Sequence, residues 1–318
     1  MRFKRGLARS RHFSDAREVA SALPGVSMDV AMVDRATGRW NIAELDLGRL
    51  RLLRVDAGGA VSATAVVDEN VFSFALPLTS ESNAWTVNGC PSGRDQLAMF
   101  APGTVYALFT PRALSWLSVR VDQAFFRRRY HAIFGRHLVG TDVRVVPCGQ
   151  QNARRLRRAH AGALALLEEN ARTLRDERSL RALEEVIVMS LLQALAGSND
   201  ETQLVRALPS RLPRLLRADA AGPVDLGHLR SGLGTSERTL RRAFRQLLGV
   251  SPARYLRVRR LHQARDALKV VACGTVTQVA ASLGFSDFGR FAREYCDLFG
   301  ELPSATLKRA GAPKHPPS

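Results

Sequence analysis

The sequence predicts an α+β fold: a β-rich first part, a helical middle, and an all-α C-terminal domain with two helix-turn-helix units. Three observations predict it. Short apolar runs separated by turn residues fill positions 26 to 121, helical periodicity takes over after 122, and one pattern of about fifty residues occurs twice after 223.

In the first part, apolar or alternating runs occur at Val61–Val67, Val71–Leu78, Gln96–Phe100, Val105–Phe109 and Leu114–Val121. Turn pairs such as Asn88-Gly89 and Pro102-Gly103 divide them. Closely spaced strands with such punctuation suggest a small barrel or sandwich. Helices are expected over Asp122–Phe134, Gln150–Thr173 and Glu177–Ala196. In the last of these Leu180, Leu183, Ile187 and Leu191 recur at helical spacing. Such stripes cover a barrel, pair with a second subunit, or do both. A short helix around Leu204–Arg217 precedes Ala221-Gly222-Pro223, which marks a linker. The expected domains are a β-rich sensing domain (1–121), a helical region suited to dimerisation (122–200), a linker (201–222), a DNA-binding domain (223–310) and a disordered tail (311–318).

Charge narrows the partner. The 318 residues carry a formal net charge of +18. Gly222–Ser318 holds 16 Lys and Arg against 7 Asp and Glu, so half the excess falls in under a third of the chain. Strong basicity favours a polyanion, either nucleic acid or an anionic membrane. The most apolar stretch, Val186–Ala196, contains Ser190 and Gln193 and is shorter than the roughly 18 residues of a membrane span. The basic N-terminus lacks a following apolar core, so it does not read as a signal peptide. Cys90, Cys148, Cys273 and Cys296 form no CxxC pair and are expected to be reduced packing residues in a cytoplasmic protein.

The repeat carries the functional reading. Leu229, Leu233 and Gly234 recur as Val279, Leu283 and Gly284, and Leu240, Arg242, Phe244, Gly249 and Pro252 recur as Phe291, Arg293, Tyr295, Gly300 and Pro303. Each unit reads helix, tight turn, helix. Ser236 and either Ser286 or Asp287 are placed to cap the second helix, and Gly249 and Gly300 to terminate it. At 100° per residue Leu240, Phe244 and Leu247 form a narrow inward stripe. Arg238, Arg241, Arg242 and Arg245 fall opposite, with Thr239 beside them. Outward arginines on such a helix fork to guanine edges in a major groove or grip phosphates.

In the second copy Phe291, Tyr295 and Leu298 face inward, while Gly289, Ala292, Arg293 and Cys296 face out, flanked by Phe288 and Arg290. The first unit is therefore expected to supply more of the salt-sensitive affinity. The second is expected to make closer apolar contacts, for example to thymine methyls. Ala253–Lys269 reads as one helix of about 25 Å joining the units. With a reading helix at each end, that strut approaches the roughly 34 Å separation of successive major grooves.

These residues resemble the DNA-binding domain of the AraC/XylS family of bacterial transcription regulators. The resemblance runs from about Val224 to Arg309 and rests on Ser236-Glu237-Arg238-Thr239-Leu240-Arg241-Arg242-Ala243-Phe244, on Gly249-Val250-Ser251-Pro252, on Leu283-Gly284-Phe285-Ser286-Asp287 and on Phe299-Gly300-Glu301-Leu302-Pro303-Ser304. It implies base contacts at Arg238, Arg241 and Arg242, then at Phe288, Gly289, Ala292 and Arg293. It also implies a cupin-like N-terminal β-barrel followed by helices, which senses a signal or dimerises. The implied partners are double-stranded DNA and a second copy of the chain, with RNA polymerase and a small-molecule effector as further candidates. Two positions depart from the family pattern: Arg230 stands where a small residue is usual, and Cys296 where a basic one is.

A barrel also raises the reading of a cupin-type enzyme fused to a DNA-binding module. Metal sites of that kind need His and carboxylate ligands converging inside the barrel. The seven histidines, at 12, 131, 137, 160, 228, 262 and 315, leave positions 26 to 121 with none. No metal, no cofactor and no catalytic residue is expected, and a non-specific architectural DNA binder is the remaining alternative. Trp40, Phe72, Phe74, Trp85, Tyr106 and Trp116 are candidates to line a ligand cavity, although strand aromatics more often form core. Cys90 is expected in a turn, and His131 and His137 in solvated or capping roles.

Overall fold

A computed structural model describes residues 8–79, 84–138, 142–169, 176–196, 211–218, 226–270 and 274–311. The linker motif 221–223, residues 204–210 and positions 312–318 lie outside them.

Two antiparallel sheets stack face to face. The larger comprises β1 (Ala8–Phe13), β3 (Trp40–Asp46), β4 (Leu50–Ala57), β6 (Val71–Pro77), β9 (Gln96–Phe100), β11 (Leu114–Asp122) and β12 (Val143–Pro147), in the order β1-β3-β4-β11-β6-β9-β12. The smaller holds β2 (Val26–Met32), β5 (Val61–Val67), β7 (Trp85–Val87), β8 (Cys90–Ser92) and β10 (Val105–Thr110), ordered β2-β5-β10-β7-β8. Among the described residues no strand is shared between the sheets, so the expected barrel is not closed. The β-rich first part of an α+β chain is as the sequence predicts.

Side-chain alternation gives the larger sheet two buried faces. Leu114 and Trp116 of β11 point toward the smaller sheet with Leu53, Val55, Ala98 and Phe100. Leu117, Val119 and Val121 point the other way, with Phe72, Phe74, Leu97 and Met99. That outer face is covered by α2 (Gln123–Phe134), α3 (Gly149–Glu169) and α4 (Glu177–Ala196), which bring Phe125, Phe126, Leu156, Ile187 and Leu191 against it. Burial on both faces of the sheet explains why all seven residues of β6 are buried, with Ser73 the one polar side chain among them.

The candidate cavity aromatics accordingly separate. Trp40, Trp85, Tyr106 and Trp116 lie between the sheets, whereas Phe72 and Phe74 pack with Phe126 under the helices, at centroid distances of 5.5 and 5.1 Å. Cys90 opens β8 directly after the turn, where Asn88 and Gly89 have φ of 48° and 78°. The imidazoles of His131 and His137 are exposed and stack on each other at 4.5 Å.

The C-terminal part comprises α6 (Leu226–Leu233), α7 (Glu237–Leu248), α8 (Pro252–Val270), α9 (Val276–Ser282), α10 (Phe288–Phe299) and α11 (Pro303–Gly311), preceded by α5 (Arg211–Ala218). Its first half has its own core, in which Leu212, Leu216, Leu229, Leu240, Phe244, Leu247 and Tyr255 meet Ala107 on the outer face of β10. The Phe109 ring of the same strand lies against Gly249, where any Cβ would come within 2.4 Å of it; at φ 71° this position needs glycine twice over.

The helix α8 docks on the β-rich part along a polar seam. The Met32 N–H, on strand β2, donates to His262 Nε2 at 3.0 Å across 230 residues of chain. Burial pushes the His262 imidazole down to about 3, so it accepts as a neutral ring. Asp15, the N-cap of α1 (Ala16–Ala22), is bridged by Arg265 at 3.0 Å and Lys269 at 3.3 Å, and Arg254 reaches the Val33 carbonyl at 2.7 Å.

Candidate nucleic-acid interface

The two repeated units fold alike because their turns are built alike. In the first, Gly234 takes φ 59° between α6 and α7, and Ser236 Oγ accepts the Thr239 N–H at 3.2 Å. In the second, Gly284 takes φ 78° between α9 and α10, and Asp287, rather than Ser286, caps α10 by accepting the Arg290 N–H at 2.8 Å. Gly249 and Gly300 end the two second helices in left-handed conformations at φ 71° and 73°. Pro252 and Pro303 open the helices that follow.

Each second helix buries one stripe. Leu240, Phe244 and Leu247 are closed inside the first unit, with Phe244 edge-on to Tyr255 at 5.5 Å. Phe291, Tyr295 and Leu298 fill the second, and an aromatic chain runs from Phe285 through Phe291 and Tyr295 to Phe299 at 4.8, 5.7 and 4.6 Å. Opposite these stripes Arg238, Thr239, Arg241, Arg242 and Arg245 are exposed on α7. On α10 Phe288, Gly289, Arg290 and Arg293 are exposed and Ala292 is half-buried. Among the described residues the β-rich part covers neither face.

The arginines are not electrically equivalent. Arg241 is bridged to Glu237 at 2.5 Å on its own helix. Arg290 donates to Glu294 at 3.0 Å, and Glu294 also takes a bond from Arg257 on α8. Burial opposes charge on the Glu294 carboxyl, but the two arginines outweigh it and hold it below the usual range. Arg238, Arg242, Arg245 and Arg293 have no carboxylate partner among the described residues. Sequence reasoning overlooked Glu237 and Glu294, although both sit four residues from an arginine on one helix face. The Arg257 bond had no local signal.

Arg230 settles on the surface rather than in the first unit's interior, while Ala280 at the matching place is fully buried. At Gly289 an added Cβ would meet only the Asp287 carboxylate, at 3.5 Å. The protein's own packing therefore does not require glycine there.

Residues 230–309 match a family model described as a helix-turn-helix domain. The chain is 31% identical over 127 residues to the XylDLEGF operon transcriptional activator 2 of Pseudomonas putida, a match spanning 39% of this chain and 81% of that one. The chain belongs to the AraC/XylS family. A second Pseudomonas putida relative, the XylDLEGF operon transcriptional activator, is 31% identical over 128 residues, and there the match spans only 40% of the relative's length. A solved structure titled as a probable AraC family transcriptional regulator from Rhodopseudomonas palustris is 39% identical, covering 31% of this chain and 94% of that one at a TM-score of 0.29. The AraC-like transcriptional activator CuxR covers 82% of this chain and 96% of its own at 14% identity and a TM-score of 0.42. The matched family segment includes α7 and α10 with both exposed faces.

Among the described residues no group of His, Cys, Asp and Glu is placed to hold a metal ion, and no helix is long and apolar enough to cross a membrane.

Proposed function

We propose that this AraC/XylS family member is a sequence-specific DNA-binding transcription regulator whose α7 and α10 enter adjacent major-groove segments of one duplex. The observation that supports it most is the pair of capped, uncovered helices, each with a packed apolar stripe behind and DNA-compatible side chains in front. Arg238 and Arg242 read or grip first, and Arg245 adds to the electrostatic hold. Arg241 joins them when it leaves Glu237. Thr239 lies at the rim, suited to a phosphate. On α10 Phe288 and Ala292 offer apolar contact, Arg293 a guanidinium and Gly289 room for a backbone to approach, while Arg290 stays tied to Glu294. The 19-residue α8 spans about 28 Å at 1.5 Å per residue, a length suited to holding two reading helices one groove apart.

In this reading the β-rich part and α2–α4 sense a signal and support dimerisation in the cytoplasm, and contact with RNA polymerase links binding to transcription. The test is selection of duplexes from a random pool with the full chain, followed by competition at fixed salt. A selected site bound at least about 10³-fold more tightly than random duplex is expected. Equal binding to both would replace the proposal with an architectural DNA binder.

A further inference from the structure

The two helix-turn-helix units pack in separate cores. Leu229, Leu240, Phe244 and Leu247 of the first share a core with Tyr255 and Leu256 at the start of α8. Phe285, Phe291, Tyr295 and Leu298 of the second share one with Leu261, Ala264 and Leu268 further along the same helix. Among the described residues no core holds buried side chains of both units. A junction made by one helix is compliant, because a long helix curves and flexes along its length.

The smaller sheet meets both units, at different places. Ala107 of β10 enters the core of the first, and the Phe109 ring fills the space that a side chain at Gly249, the stop of α7, would need. Arg217 on α5 donates to the Thr64 carbonyl of β5 at 3.2 Å and to the Ser27 carbonyl of β2 at 3.0 Å. The second unit is fastened beyond the end of β2. Arg254 on α8 holds the Val33 carbonyl at 2.7 Å and the Asp34 carboxylate at 2.6 Å. One residue on, the Arg35 guanidinium lies over Gly300, the stop of α10, where an added Cβ would come 2.9 Å from Nη2. A cation there also suits the negative end of a helix.

Both reading helices are thus met at the same point, the left-handed glycine that ends them, by a side chain of the β-rich part. The strands concerned, β10 and β2, stand two spacings apart in the sheet, roughly 10 Å. We propose that the smaller sheet is a spacer that fixes the separation and tilt of α7 and α10, with Phe109 and Arg35 as the positioning residues at the two stops. This rests on the reading that both helices enter one duplex. It gives the β-rich part a share in choosing the DNA: it sets the distance between the two segments read. Linked units reinforce each other only where their geometry lets both engage, and a geometry fixed beforehand lowers the ordering cost of binding.

Two measurements on the full chain test it. Without DNA, spin labels carried by unnatural amino acids in place of Arg241 and Arg293 give the spread of distances between the helices. The distribution should be narrow in the parent, broader when Phe109→Ala is combined with Arg35→Ala, and narrow again with Phe109→Leu and Arg35→Lys. An unchanged width in the alanine variant overturns the proposal. With DNA, a selected duplex is compared with one that carries an extra base pair between the contacted segments, a shift of about 3.4 Å and about 35°. The parent should bind the lengthened duplex at least about tenfold more weakly. That ratio should fall several-fold in the alanine variant and return with the leucine and lysine replacements; a ratio that stays put overturns the proposal. Phe74→Leu trims the core beneath α2, away from both units, and should leave the ratio alone. An equal fall there would assign the effect to lost stability and overturn the proposal as well. If the parent shows no sequence preference, the regulator reading goes, and the distance measurement still decides the spacer.

Discussion

The two helix-turn-helix units share one backbone plan and present different chemistry. Both have a glycine corner, a side-chain cap and a left-handed glycine stop, yet α7 exposes four arginines while α10 exposes a phenylalanine, a glycine and a half-buried alanine beside two arginines. Duplication fixes the residues that make the fold, because the turn and the buried stripe tolerate little. The outward positions answer only to the partner. On the proposed function the difference divides the labour, with long-range attraction concentrated in the first unit and close fit in the second.

The largest test asks whether the two cores are equally necessary. Phe244→Ala and Phe291→Ala each leave a cavity in a closed stripe and should cost about 3–5 kcal/mol, read from denaturant unfolding. A cost below 1 kcal/mol for either would show that its unit is not packed as described. Next come the arginines. Arg238→Ala or Arg242→Ala should lower affinity for a selected duplex by about 1–3 kcal/mol where the guanidinium forks to a base. If the loss is the same on every sequence and the salt slope falls by about 1, that arginine grips phosphate instead.

For the second unit the discriminating reagent is the DNA. Replacing thymine by uracil across the half-site read by α10 removes methyl groups, and each contacted methyl should cost about 0.8 kcal/mol. Phe288→Ala should abolish that sensitivity; a persistent difference would move the contact elsewhere. Gly289→Ala should stabilise the free protein by about 0.5–1 kcal/mol through helix propensity, since nothing crowds the added methyl. It should nonetheless weaken DNA binding, and unchanged affinity would mean that no backbone approaches there. The smallest effect belongs to Glu237→Gln. It frees Arg241 from an exposed pair worth about 0.3–0.5 kcal/mol and should steepen the salt dependence of binding. An unaltered slope would leave Arg241 out of the interface.

The exposed faces of α7 and α10 were legible because helical periodicity separates buried from exposed positions without knowledge of anything distant. The five apolar strand runs from Val61 to Val121 were legible for a similar reason. Other strands were hidden by their own charges: β3 and β4 place Glu44, Asp46 and Arg51 inside the protein, where their pairing lies in tertiary structure and the sequence shows only polarity. Strand β1 lies in the basic N-terminal run, and β12 sits inside the stretch 122–200 that otherwise reads as helix. Phe72 and Phe74 were grouped with Trp85 and Trp116 because residue type does not reveal which face of a doubly buried sheet a side chain takes. The Arg257–Glu294 bond and the seam at His262 join residues far apart in the chain, and no local pattern announces them.

That seam bears on how an open sheet border is kept from pairing with other chains. Strand β2 borders the smaller sheet, and a bordering strand with idle amide groups invites pairing with any other extended chain. Here a helix from the opposite end of the polypeptide lies beside it, and an imidazole takes up one of those amides. Severing the halves would strip this cover away. The N-terminal half made by itself should then cling to its own copies through that border, while the intact polypeptide keeps it out of reach.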